Sequence, residues 1–130
     1  MRDFGIEGLV IDMDAATLKK RTKEFAHRCV KLAVALPKTP LGNHIHQQLI
    51  RCSTSVAANY RATCVAQSKA TFISKLSIAL EEADESYFWL EFIIDEGLMK
   101  KDRVGQLLKE ADELVSIFVA SRKTARNTIQ

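Results

Sequence analysis

Chain breakers are scarce in this sequence. Its 130 residues include five glycines and two prolines, too few for the turns of a sandwich or barrel. Cysteine is equally sparse. Cys29, Cys52 and Cys64 are odd in number, widely spaced and without a C-x-x-C pair. That pattern disfavours both a disulfide framework and a zinc site, and leaves small buried apolar side chains as the expected role. Neither sign of charge dominates. Lys and Arg total 19 against 16 Asp and Glu, a net charge of +3, which argues against a dedicated high-affinity nucleic-acid binder. No apolar run approaches the roughly 20 residues of a membrane span, and no targeting segment is visible. The expected compartment is therefore the cytoplasm, with no membrane partner.

Motifs for chemistry are also missing. There is no Gly-rich phosphate loop, no G-x-S-x-G and no zinc pattern. His44 and His46 stand two apart, so on a helix they point to different sides and cannot share a metal. His27 stands alone between Ala26 and Arg28. Di-metal sites in helix bundles want Glu-x-x-His on facing helices, and none occurs. No cofactor, no metal and no enzymatic activity are expected.

What remains is ordinary globular material: 47% hydrophobic and 27% charged residues in a length suited to one domain. From Asn43 to Glu96 there are 54 residues without glycine or proline. One helix of that length would reach about 80 Å, so a break is expected inside it. Helical periodicity locates four segments. The first reads Leu18, Thr22, Phe25, Cys29, Leu32, Leu36, with Asp14 as N-cap and Pro37 as terminator. The second opens on Thr39-Pro40 and reads Ile45, Leu49, Cys52, Val56, Asn59, Thr63. The third starts after Ser68 as N-cap. It reads Phe72 or Ile73, Leu76, Leu80, Ala83, Tyr87, Leu90, Ile94. The registers of the second and third do not join, which predicts a turn near residues 64–68. Gly97 fits a Schellman end with Leu98 reaching back to Ile93. The fourth opens with Asp102 as N-cap and reads Val104, Leu108, Ala111, Val115, Phe118, fraying after Thr124. Short joints imply antiparallel neighbours. The predicted fold is all-α, an antiparallel up-down-up-down four-helix bundle over residues 14–125. An N-terminal arm covers 1–13, and a frayed tail covers 126–130.

Charge is segregated along the chain. Residues 15–36 carry six basic groups and one acid; residues 67–97 carry two basic and seven acidic groups; residues 98–130 carry seven basic and four acidic groups. Antiparallel geometry gathers Lys19, Lys20, Arg21, Lys23, Arg61, Lys69, Arg122, Lys123 and Arg126 at one pole, partly offset by carboxylates at 12, 14 and 24. That pole is the candidate contact for RNA or DNA phosphates. Its alternative is a solvated bundle end. Helices two and three fold back around residue 66, which brings Arg51 level with Glu81 and Glu82, Ser55 with Ser77, and Asn59 with Ile73. Glu81, Glu82, Asp84 and Glu85 are then read as an ion-pair or hydrogen-bond network. Glu82 and Glu85 share a face with Ile78, Trp89 and Phe92. The run Tyr87, Phe88, Trp89, Leu90, Phe92, Ile93, Ile94 leaves almost no polar face. A helix apolar all round must be covered on more than one side, so Tyr87, Phe88, Trp89 and Phe92 are the candidate subunit interface. The alternative is cover by the first and fourth helices, with Lys109 lying over Trp89.

The stretch Ser53-Thr-Ser-Val-Ala-Ala-Asn-Tyr-Arg-Ala62 carries an S-x-x-x-N motif, Ser55 to Asn59. It resembles the small four-helix-bundle proteins first described from intervening sequences of large-subunit ribosomal RNA genes. Ser68 to Leu76 and Ile78 to Ser86 resemble the third helix of that family. Leu36-Pro37 resembles its first joint and Leu114 to Thr124 its final helix. Ala62-Thr63 stands where many members carry Glu-Gly. The resemblance, over about residues 20–125, implies a bundle that forms a homopentamer. The family is also similar to the accessory protein of diversity-generating retroelements, a basic pentameric bundle that contacts nucleic acid and a reverse transcriptase. Family position implies that Ser55 and Asn59 are structural polar groups near a helix or subunit interface. Asn59 is then expected to hydrogen-bond across helices and set register. The leading expectation is a non-catalytic homo-oligomer, pentameric, with low-specificity nucleic-acid contact through the basic pole. The alternative is a protein-interaction scaffold with no nucleic-acid role, docking a partner on its acidic third helix.

Overall fold

The computed structural model describes residues 14–128; the expected arm at 1–13 lies outside the described residues, as do residues 129 and 130. Four helices follow in order: α1 (Ala15–Val34), α2 (Pro40–Cys64), α3 (Lys69–Asp95) and α4 (Lys101–Asn127). Each packs on its sequence neighbours, and α1 closes the ring against α4. The fold is an all-α, up-down-up-down four-helix bundle. No described helix is long and apolar enough to cross a membrane.

Local chemistry accounts for most boundaries. Asp14 accepts a hydrogen bond from the Thr17 amide at 2.7 Å and caps α1. Hydrogen bonding to Thr17 holds its carboxyl below the usual range. Thr39 accepts from the Gly42 amide at 3.0 Å, with Pro40 at the start of α2. Ser68 accepts from the Thr71 amide at 3.0 Å and opens α3. Gly97 has φ +65°, and Leu98 N–H reaches the Ile93 carbonyl at 3.0 Å, a complete Schellman end. The expected break at 64–68 is the α2–α3 turn.

The start of α4 differs from expectation. Asp102 lies inside the first turn, and the cap position is Lys100, which makes no side-chain capping bond. A tight turn, Arg103 N–H to Lys100 carbonyl at 3.0 Å, begins the helix earlier. At the other end α4 runs to Asn127, three residues past Thr124.

The core is filled by Leu18, Phe25, Cys29 and Leu32 from α1 and Ile45, Leu49, Cys52 and Val56 from α2. Leu76, Leu80, Ala83, Leu90 and Ile93 enter from α3, and Val104, Leu107, Ala111, Leu114 and Phe118 from α4. Three registers shift by one residue. Tyr60, not Asn59, faces inward and stacks on Phe118 with ring centroids 5.7 Å apart. Two heptads of drift carry residue 59 about 40° off the Ile45 line, which leaves Tyr60 nearer the inward side, while Thr63 stays buried. On α3 the buried positions are Ser86 and Ile93, while Tyr87 and Ile94 are half-buried. On α4, Leu107 and Leu114 are buried, and Leu108 and Val115 only partly. Adjacent apolar pairs in the sequence made either register admissible.

Cys29 and Cys52 are buried and Cys64 half-buried; all three are free thiols. Burial raises the Cys29 thiol, and it pushes Cys52 up to about 11, with Ser86 donating to Cys52 Sγ at 3.3 Å. Cys29 and Cys52 are packing atoms held as neutral thiols near pH 7.

Candidate functional site

Three surfaces concentrate the side chains singled out by the sequence. The first is the basic end of the bundle. Lys69 at the head of α3 donates to the Thr128 carbonyl beyond α4, and Arg122 of α4 donates to Ser77 Oγ of α3 at 3.4 Å. The head of α3 and the tail of α4 therefore meet. Lys19, Lys20, Lys23, Arg61, Lys123 and Arg126 are exposed, with no ion-pair or hydrogen-bond partner among the described residues.

Arg21 has a different role from the one expected of it. Its Nε donates to Glu110 Oε2 at 2.6 Å, and its terminal nitrogen reaches Glu110 Oε1 at 2.8 Å and Glu113 Oε1 at 2.6 Å. This bidentate clamp ties α1 to α4. The hydrogen bond that Arg21 donates to Glu110 is the main reason the guanidinium is raised further above its usual range. Arg122 lies nine residues beyond Glu113, about 13 Å along the helix. The basic groups thus form a strip along α1 and the end of α4 more than a compact cap.

The second surface joins α2 to α3. Arg51 approaches Glu82 Oε1 at 3.3 Å and pairs with Glu85, while Glu81 is exposed and takes no part. The expected partner Glu81 gives way to Glu85 because residues 82 and 85 share the face turned to α2. Trp89 Nε1 donates to the same Glu85 carboxylate at 3.1 Å. Burial pushes Glu85 up, but the bonds from Arg51 and Trp89 prevail and hold it below its ordinary range. Arg51 is half exposed, so this network adds little stability and mainly orients Trp89.

Asn59 does not bridge helices within the chain. Its amide nitrogen donates to the Ser55 carbonyl at 3.0 Å and to Ser55 Oγ at 2.9 Å, both on α2. The S-x-x-x-N spacing is one helical turn, so the two side chains satisfy each other. Ser86, which the sequence reading passed over, is the buried polar residue between α2 and α3, bonded to the Glu82 carbonyl and to Cys52.

The third surface is aromatic. Phe88 is 48% exposed. Its ring meets Trp89 at 4.9 Å and Phe92 at 5.8 Å, and Trp89 meets Phe92 at 6.0 Å. The neighbour lying edge-on to Trp89 is His44 of α2, at 5.4 Å, where the alternative of cover by the other helices puts Lys109. Tyr87, Trp89 and Phe92 are half-buried against the core. Along the same outer stripe of α3 lie the exposed acids Glu81, Asp84, Glu91 and Asp95. Phe88 is thus an apolar centre in an acidic flank.

One feature had no sequence signal of its own. Between α1 and α4 lies a cleft of about 230 Å³ lined by Arg28, Lys31, Leu32, Asp102, Arg103, Gln106 and Leu107. It lies where the bundle is least tightly closed, since α1 and α4 are the least closely packed neighbouring pair. Among the described residues, no group of three His, Cys, Asp or Glu side chains is arranged to hold a metal ion.

Comparison with known proteins places this geometry. The family of 23S rRNA-intervening sequence proteins matches residues 15–120. A crystal structure from the S23 ribosomal protein family of Bacteroides thetaiotaomicron, a protein of unknown function, is 32% identical. The match covers 85% of this chain and 99% of that one, with a TM-score of 0.78. No curated protein matches. The matched span runs from the first residue of α1 into the last turns of α4, so the chain belongs to the 23S rRNA-intervening sequence protein family.

Proposed function

We propose that this chain is a non-catalytic, self-associating bundle, a homopentamer, whose basic strip holds RNA or DNA by its phosphates with little sequence preference. The observation that carries self-association is the position of Phe88. The core is complete without it, yet it sits exposed at the centre of an aromatic cluster. Exposed aromatic anchors rimmed by charge are the usual material of protein interfaces. Five copies is the number implied by the family resemblance. A cytoplasmic setting, with RNA at hand, fits the same reading.

The nucleic-acid part is supported by the six exposed cations Lys19, Lys20, Lys23, Arg61, Lys123 and Arg126. The names of the relatives, an rRNA-intervening sequence protein family and a ribosomal protein family, point the same way. The net charge of +3 limits such binding to a modest, salt-sensitive affinity. A second reading is favoured by the acidic stripe around Phe88, which suits a protein partner with a basic surface and needs no nucleic acid.

Salt dependence separates the two. Where four of the cations meet phosphates of a single strand, the slope of log K against log salt is about −3, and a fourfold rise in salt weakens binding about fifty-fold. Lys123→Gln with Arg126→Gln is expected to flatten that slope by roughly 1 to 2. Fluorescence anisotropy with a labelled mixed-sequence RNA reads both effects. No binding at low salt would leave the protein-scaffold reading in place of the RNA one.

A further inference from the structure

The α1–α4 cleft carries an arrangement that folding alone does not explain. Arg28 and Lys31 stand three apart on α1, and Leu32 completes that face as part of the floor. Arg103 and Gln106 stand three apart on α4, with Leu107 beside them. Each helix therefore turns one apolar side chain inward and its polar ones to the rim. Arg28, Lys31 and Arg103 have no ion-pair or hydrogen-bond partner among the described residues. Asp102 offsets one of the three cations, and the cleft keeps two positive charges in excess.

The start of α4 makes this costlier. The N-terminus of a helix carries partial positive charge and favours acids. Here Lys100, Lys101 and Arg103 crowd it, and no side chain caps the free amides. Like charges are placed against the dipole beside two more cations from α1. Asp102 in the first turn answers only part of this charge, and a local rule broken with partial compensation points to a functional site. An anion seated in the cleft answers the excess charge and the crowded helix start together. Guanidinium groups on opposite walls suit a phosphoryl group in particular, since each offers paired donors to its oxygens.

We propose that the cleft between α1 and α4 is a phosphate seat, in which Arg28 and Arg103 clasp a phosphoryl group and Lys31 neutralises it. The site stands on its own geometry; only the source of the phosphate, a nucleic-acid backbone, rests on the function proposed above.

The test uses the full chain and two charge-matched variants, Arg28→Gln/Arg103→Gln in the cleft and, as a control outside both the cleft and the basic strip, Lys38→Gln/Lys109→Gln. All four residues are exposed, and circular dichroism confirms that each variant folds. Thermal unfolding is followed with inorganic phosphate, against sodium chloride at equal ionic strength, because a ligand held only by the folded state raises Tm. Phosphate is expected to stabilise the parent chain and the control variant alike, and the cleft variant by less than half as much. A short labelled oligouridylate then reads the source. The cleft variant is expected to bind it about tenfold more weakly, with a salt slope reduced by roughly 1 to 2. Phosphate stabilisation through the cleft without oligouridylate binding keeps the seat, assigns it to a small phosphorylated ligand, and removes the nucleic-acid reading. Oligouridylate binding that the cleft variant leaves intact keeps the nucleic-acid reading and overturns the seat. Equal phosphate effects in all three proteins overturn it as well.

Discussion

Phe88→Asp is expected to give a folded chain that no longer self-associates. Phe88 faces outward from α3, and its ring meets the half-buried Trp89 and Phe92 of the same helix. The neighbouring core residues Leu90 and Ile93 are fully buried without its help. Helicity and unfolding temperature should therefore change little. Self-association is different. Burying a phenylalanine contributes about 2–3 kcal/mol, and a carboxylate forced into an apolar contact is worse than its absence. The loss is on the order of 4 kcal/mol per interface, close to a thousandfold in affinity. Light scattering should then give the 14.6 kDa of a single chain. An assembly of unchanged mass places the interface on another face of the bundle.

Gly42→Ala is expected to have the largest effect on stability. Gly42 is buried in the first turn of α2, where the chain has just turned back from α1. A Cβ there would lie 1.9 Å from the Pro37 carbonyl oxygen and 3.2 Å from Thr39 Oγ1. The first neighbour is backbone and cannot rotate away. The α1–α2 joint must open, and the Thr39 cap on the Gly42 amide opens with it. Overpacking and cap loss together cost on the order of 3 kcal/mol. Chemical denaturation should show a lower midpoint with an unchanged slope. Gly97→Ala is a useful contrast: a Cβ there meets nothing within 4 Å, and the cost is confined to the positive φ.

These two positions also show what the sequence could and could not carry. Asp14, Thr39, Ser68 and Gly97 are local signals, since each acts on backbone within four residues, and they mark the helix ends correctly. The steric need at Gly42 is not local in that sense. It appears only when Pro37 is folded back over the start of α2. The core stripe was legible to within one residue. It slipped at Asn59/Tyr60, Ser86/Tyr87 and Leu107/Leu108, where adjacent side chains compete for one inward position and packing decides.

The candidate surfaces divide in the same way. Arg51 was placed opposite the right turn of α3, but Glu85 and not Glu81 completes the pair. One helical position separates a side chain turned to α2 from one turned to solvent. Arg21 looked like one more cation of the basic end. Its partners Glu110 and Glu113 lie some ninety residues away in sequence, and no periodicity reveals that pairing. The cleft is hidden for the same reason, because Arg28 and Arg103 become neighbours only through the antiparallel return of α4.

Self-association is the claim on which the account depends, and the mass of the native protein in solution tests it most directly. Size-exclusion chromatography with light scattering, run at low salt with and without a short mixed-sequence RNA, gives that mass. Five chains are expected, with a further increase when RNA is present. A single chain of 14.6 kDa under both conditions would contradict it and make the aromatic face of α3 an ordinary solvent-exposed surface.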